Sequence, residues 1–91
     1  MKSDPDKLTK RHQELVHSDN RKVTSHVQRQ SGEWYINTLM LEGCSAPFRY
    51  KRTQPYQSLQ GQRVNLTYYR DVEQVAGMSM EVMRVVRVRV S

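Results

Sequence analysis

Cysteine, proline, glycine and long apolar runs are all scarce in this chain of 91 residues. The single cysteine, Cys44, cannot close an internal disulfide, so a disulfide scaffold is excluded. Gly32, Gly43, Gly61 and Gly77 are spaced singly. No Gly-rich phosphate loop is present, which argues against a nucleotide fold. No apolar run approaches the roughly 18 residues that a membrane-spanning helix needs, so no membrane partner is expected. His12, His17 and His26 share no i, i+4 spacing, and neither CxxC nor HxxxH occurs. They read as exposed titrating side chains, and neither a metal nor a cofactor is expected. Residues 1–6 are polar and carry no apolar stretch of the kind a signal peptide has. The expected compartment is therefore the cytoplasm.

Positive charge is plentiful. Fifteen Lys and Arg face nine Asp and Glu, a formal net charge of +6. Residues 1–31 hold seven basic and four acidic residues, and residues 32–91 hold eight and five, so each part carries +3. The excess is not a detachable tail. It suits an anionic partner such as nucleic acid, and equally a plain basic protein kept soluble by its charge. The length allows one domain, and a domain this small buries only about 60% of its unfolded surface.

Alternation of apolar and charged residues is the strongest local signal. Residues 81–90 read Glu-Val-Met-Arg-Val-Val-Arg-Val-Arg-Val, the period of a half-buried strand with one slip at Val85-Val86. A β-bulge there predicts Met83, Val86, Val88 and Val90 inside and Arg84, Arg87 and Arg89 outside. Residues 48–52 alternate too, with Phe48 and Tyr50 in and Arg49 and Lys51 out. Residues 62–70 predict a third such strand, with Val64, Leu66 and Tyr68 on one face and Arg63, Asn65, Thr67 and Tyr69 on the other. Residues 33–41 are apolar on both faces and predict a strand covered on two sides, under an N-terminal helix.

Asp4-Pro5-Asp6 is a helix start, and Leu8, His12, Leu15 and Val16 form one stripe, so a helix is expected over 5–17. Residues 21–30 fit strand or helix, with strand favoured by Val23-Thr24. Ser31-Gly32 and Ala76-Gly77 predict turns. Residues 56–61 form a loop pinned by Tyr56 and Leu59. Residues 71–78 form a connection, with Val72 and Val75 tucked against the core. Met78, Met80 and Met83 are expected to fill the core, and Cys44 to be a half-buried loop residue.

The summed expectation is an α+β, mostly β chain. Residues 1–20 form the helix and polar lead-in. Residues 21–91 form one small, strongly bent antiparallel sheet or partly closed barrel of four to five strands, of SH3, Sm or OB size. A helix followed by five bent strands resembles the layout of Sm-like RNA-binding proteins. The likeness ends at layout, because the Gly and Asp-x-Asn features of their paired motifs are missing and Val88-Arg89-Val90 has no glycine.

The candidate binding set is Arg49, Lys51, Arg63, Tyr69, Arg84, Arg87 and Arg89. Cations neutralise phosphates and flat rings stack on bases. The competing reading is a solvated sheet face, with arginine guarding an edge strand. No catalytic constellation is visible. The expected function is a small non-enzymatic binding module for RNA or DNA, RNA first. The alternative is a protein-interaction or self-assembling module that pairs strand edges with itself or another protein.

Overall fold

The computed structural model describes residues 14–55 and 57–91. It holds five strands: β1 Val16–Ser31, β2 Trp34–Leu41, β3 Phe48–Arg52, β4 Arg63–Val75 and β5 Met78–Val90. They lie in one sheet in the order β1-β2-β3-β5-β4, and β4 returns to β1 to close a barrel. No helix occurs among the described residues, and none long and apolar enough to cross a membrane. The helix expected over 5–17 fails at its C-terminal end, because Val16 and His17 already belong to β1. Residues 1–13 and Tyr56 lie outside the described residues.

The 16-residue β1 is long enough to serve two partners. Its first part pairs with β4, from Val16 opposite Tyr68 to Lys22 opposite Arg63. Its remainder pairs with β2, from Val23 opposite Leu41 to Ser31 opposite Trp34. A strand that changes partner must bend, and bulges supply the bend. One falls between Ser18 and Arg21, the other between Val23 and Ser25. Asn20 takes the first with a φ of 58°, a left-handed conformation that asparagine tolerates, and its N–H donates to Asn65 Oδ1 at 2.8 Å. The ambiguous stretch 21–30 is thus strand throughout.

Two turns are legible in their backbone angles. Ala76 and Gly77 both have positive φ, 52° and 82°, the requirement of a type I′ hairpin. Gly32, at φ 63°, holds the first central position between Ser31 and Trp34, where a type II′ turn needs glycine.

The core is Val23, Leu39, Leu41, Phe48, Tyr50, Leu59, Val64, Leu66, Tyr68, Val85 and Val88, with Met83 and Cys44 packed on it. Phe48 meets Tyr68 edge to face, with ring centres 4.8 Å apart. The alternation foreseen in β3 and in the first half of β4 holds. That of β5 is displaced: the bulge sits where the pattern slips, between the pairs Thr67–Arg87 and Tyr68–Val85. It turns Val85 inward and leaves Val86 exposed, while Val90 ends exposed at the rim. Strand β2 is fully buried on one side only. Asn37, Leu39 and Leu41 point in, while Trp34, Ile36, Thr38 and Met40 face out and Trp34 is exposed. No described helix covers that outer side.

The expected connection at 71–78 does not exist. Strands β4 and β5 run on as a paired arm to Ala76-Gly77. Val72, Val75, Met78 and Met80 stand exposed on it rather than in the core. The sheet is not wholly antiparallel either: β3 meets β5 in parallel, Phe48 opposite Met83 and Arg49 opposite Arg84.

A polar cluster sits inside the barrel. The fully buried Asn37 accepts at Oδ1 from His26 Nε2 at 2.8 Å and Gln28 Nε2 at 2.9 Å, and donates from Nδ2 to Tyr35 O at 3.3 Å. His26 Nδ1 accepts from the Leu59 N–H at 2.8 Å. With Nδ1 accepting there, Nε2 is the nitrogen that donates to Asn37. His26 is a half-buried, hydrogen-bonded structural residue, not the exposed side chain its sequence context suggested. It ties the loop 53–62 to β1 and holds Leu59 in the barrel.

Two substitutions test the bulge. Val85→Ala should cost about 2 kcal/mol in urea denaturation, from two buried methyl groups and the space they leave. Val86→Ala should stay within about 0.5 kcal/mol. His26→Ala leaves the Leu59 N–H unsatisfied and should cost about 1–3 kcal/mol, with faster limited proteolysis inside 53–62 than elsewhere.

Candidate nucleic-acid interface

The outer side of β1, β2 and β3 carries a band of paired positions. Arg29 lies opposite Ile36, which lies opposite Lys51; Val27 lies opposite Thr38, which lies opposite Arg49. Arg49 continues to Arg84 of β5, and Arg84 to Tyr69 of β4. Paired residues share a face, so these side chains line one surface. Trp34 stands at its end, 46% exposed, with Lys51 Nζ 5.9 Å from its ring centre.

Two hollows lie along this band. The larger, about 300 Å³, is walled by Ile36, Tyr50, Tyr69 and Val85 together with Arg49, Lys51, Arg84 and Glu73. It opens where β3 and β5 separate. Their parallel contact ends at Arg49 and Arg84, and the bulge at Val86 redirects β5 just beyond. The smaller, about 170 Å³, lies beside it under Val27, Arg29, Ile36, Thr38 and Arg49. Ile36 and Arg49 belong to both, so the two form one groove lined from all five strands.

Four acidic and basic side chains interlock along its wall. Arg49 Nη1 donates to Glu73 Oε1. Arg84 Nε donates to Asp71 Oδ2 at 3.1 Å, and Arg84 Nη2 lies 3.7 Å from Glu73 Oε2. Arg49 Nε also donates to Thr38 Oγ1 at 3.2 Å. All four charged groups keep about a third of their surface in water, where such pairs contribute roughly 0–1 kcal/mol each. The network orients the arginines at little energetic depth.

The seven residues singled out in the sequence therefore divide. Arg49, Lys51, Tyr69 and Arg84 converge on the groove. Arg63, Arg87 and Arg89 do not. They lie past the bulge, on the outer face where Lys22 pairs with Arg63, Asn65 with Arg89 and Thr67 with Arg87. Arg63 Nη1 donates to Asn20 O at 3.1 Å, and His17 Nδ1 lies 2.9 Å from Thr67 Oγ1 beside Arg87. No ion pair engages these three arginines among the described residues, so this second patch stays cationic.

Sequence reading missed Arg29, Trp34, Ile36 and Glu73. Trp34 and Ile36 were assigned to a doubly covered strand, and Arg29 lay in the ambiguous stretch. Glu73 lay in the stretch read as a connection, and nothing local brings it to Arg49 of β3. Cys44 is half-buried as expected, and its Sγ accepts from Arg21 Nη2 at 2.9 Å. No group of three potential metal ligands occurs among the described residues.

The chain matches no protein-family model, no curated protein and no solved structure.

The charge beside Trp34 is measurable, because this is the chain's one tryptophan. Lys51→Glu should reduce quenching of its emission by iodide, an anion, and leave quenching by neutral acrylamide unchanged.

Proposed function

We propose that this protein binds single-stranded nucleic acid, RNA before DNA, along the groove over β1, β2 and β3, without catalysing a reaction. The observation that carries the reading is the convergence of aromatic and cationic side chains on one groove: Trp34 and Tyr69 with Arg29, Lys51, Arg49 and Arg84. Bases stack on rings while phosphates meet cations, a pairing that tolerates sequence and suits unpaired strands. The strand course supports it by analogy of fold. OB-folds are five-stranded Greek-key barrels that hold oligonucleotides on strands 2 and 3, between the loops joining strands 1–2 and 4–5. Here the corresponding hairpins are the β1–β2 turn beside Trp34 and the β4–β5 arm that carries Glu73. Arg63, Arg87 and Arg89 add general attraction from the neighbouring face.

Titration with a single-stranded oligonucleotide should quench Trp34 emission. By fluorescence anisotropy of the labelled strand, Trp34→Ala should lose about 1–3 kcal/mol of binding. Arg29→Glu with Lys51→Glu should weaken binding further and flatten its salt dependence. Arg87→Glu with Arg89→Glu should weaken it less than the groove pair does. Equal losses from both charge-reversed pairs would mean diffuse attraction to a basic protein and no groove site.

A second reading has its own observation. Val72, Val75, Met78 and Met80 are 45–66% exposed on the β4–β5 arm, an apolar surface that a second copy or a protein partner could cover. Light scattering over a concentration series separates self-association from a monomer that binds nucleic acid.

A further inference from the structure

The second cationic face has a chemistry of its own. We infer that Lys22, Arg63, Arg87 and Arg89 form a site for the phosphate backbone of double-stranded nucleic acid, separate from the groove. This goes beyond the groove reading, and the two stand or fall independently.

Strand pairing sets these four side chains in one polar field. Lys22 of β1 lies opposite Arg63 of β4. Further along β4, Asn65 lies opposite Arg89 and Thr67 opposite Arg87, and Thr67 also lies opposite His17 of β1. Paired residues share a face, and so do alternate residues along a strand. All of these side chains therefore stand together on the outer surface, and the four cations are exposed. Among the described residues no carboxylate forms an ion pair with any of them, Asp19 in the β1 bulge included. The groove differs, because there Glu73 and Asp71 hold Arg49 and Arg84.

Folding does not explain the placement. Like charges directly opposite one another weaken a sheet, and Lys22 meets Arg63 in that way. Guarding against stray pairing accounts for arginines on an edge strand. Arg63 is not on one, since β4 pairs with β1 on one side and with β5 on the other. An external anion offsets the repulsion.

The kind of anion follows from what the face lacks. A protein partner needs an apolar centre. Here the apolar residues of the same strands, Val64, Leu66 and Val88, are buried on the opposite side. The exposed Val86 and Val90 stand only at the borders, in the bulge and at the rim. No tyrosine or tryptophan lies between the cations, and the one ring there, His17, is tied to Thr67 Oγ1 at 2.9 Å. A nucleic-acid backbone asks only for cations and hydrogen-bond donors. Arg87 and Arg89 lie two residues apart on one strand, about 6.8 Å, close to the separation of adjacent phosphates. A duplex carries roughly one charge per 1.7 Å of its axis, against 3.4 Å for one strand. A face that meets charge and not bases therefore favours the duplex, whereas the groove, with Trp34 and Tyr69, favours unpaired bases.

The test titrates the full chain into two fluorescein-labelled probes. One is a blunt DNA duplex of two helical turns, roughly 21 base pairs. The other is oligouridine of about twelve nucleotides, within the ~4–16 nucleotides that one such barrel covers. The native chain should bind the duplex, and less tightly as salt rises. Arg87→Ala with Arg89→Ala removes two phosphate contacts, so the duplex slope of log K against log salt should shrink by about 1.8. The same variant should still bind oligouridine and show quenching of Trp34. Trp34→Ala should weaken oligouridine roughly fivefold or more and leave the duplex unchanged. Polyglutamate at equal charge should not displace the duplex. A native chain that binds no duplex would overturn the site, as would duplex binding that ignores the arginine pair. Either result leaves the groove reading standing while oligouridine still quenches Trp34. Displacement by polyglutamate would make the face a general polyanion surface and overturn the site too. Duplex binding through the arginines without any oligouridine binding would keep the site and remove the groove. Equal losses of both probes in both variants would mean one diffuse surface and overturn both.

Discussion

The barrel closes through a parallel contact of only two residue pairs, Phe48 with Met83 and Arg49 with Arg84, reinforced by the Met83 N–H donating to Pro47 O at 2.9 Å. Everything else depends on it. Without it β5 would be an edge strand and the sheet would lie open, with Phe48 and Tyr68 unable to meet across it. Its shortness matters as much as its presence. Because β5 bulges at Val86, the two strands part after Arg84, and the groove's larger hollow occupies the gap. The contact thus closes the barrel, and the bulge that ends it opens the groove.

Stability and the proposed binding are divided between the two sides of the sheet. The interior holds aliphatic and aromatic residues plus one satisfied polar cluster around Asn37, where a lost hydrogen bond leaves an expensive gap. The groove side holds ion pairs that retain water and contribute little to folding. Groups that are cheap to separate can change partners on binding. Glu73 lines the hollow and pairs with Arg49, which makes the β4–β5 arm part of the groove rather than a spacer between strands.

Much of this was legible locally. In β3 and in 63–69 of β4 each side chain alternates cleanly, so Phe48, Tyr50, Val64, Leu66 and Tyr68 were placed inside correctly. The valine-arginine strand was legible as a strand with a bulge, but not in which valine would turn in. Two adjacent valines are chemically equal, and the choice of Val85 follows from its position opposite Tyr68. The arm was illegible because Val72 and Val75 look like core residues in sequence. They are exposed because the hairpin outruns the barrel beneath it. Half of the groove was unreadable for the same kind of reason. Arg29, Ile36 and Glu73 belong to strands brought near Arg49 by pairing over long sequence separations.

By itself the sequence determined the strands at 34–41, 48–52, 63–70 and 81–90, two of the glycine-assisted turns and which face of the regular strands is apolar. Those properties are local, set by a two-residue period and by backbone angles at Gly32 and Gly77. Only the tertiary structure decided that β1 would serve two partners and that β3 would meet β5 in parallel. It alone decided that four of the seven basic and aromatic candidates would share a groove while three turned to another face. Strand partnership is a contest among distant segments, settled by closure of the ring and burial of the whole core, and no short stretch of chain contains that information.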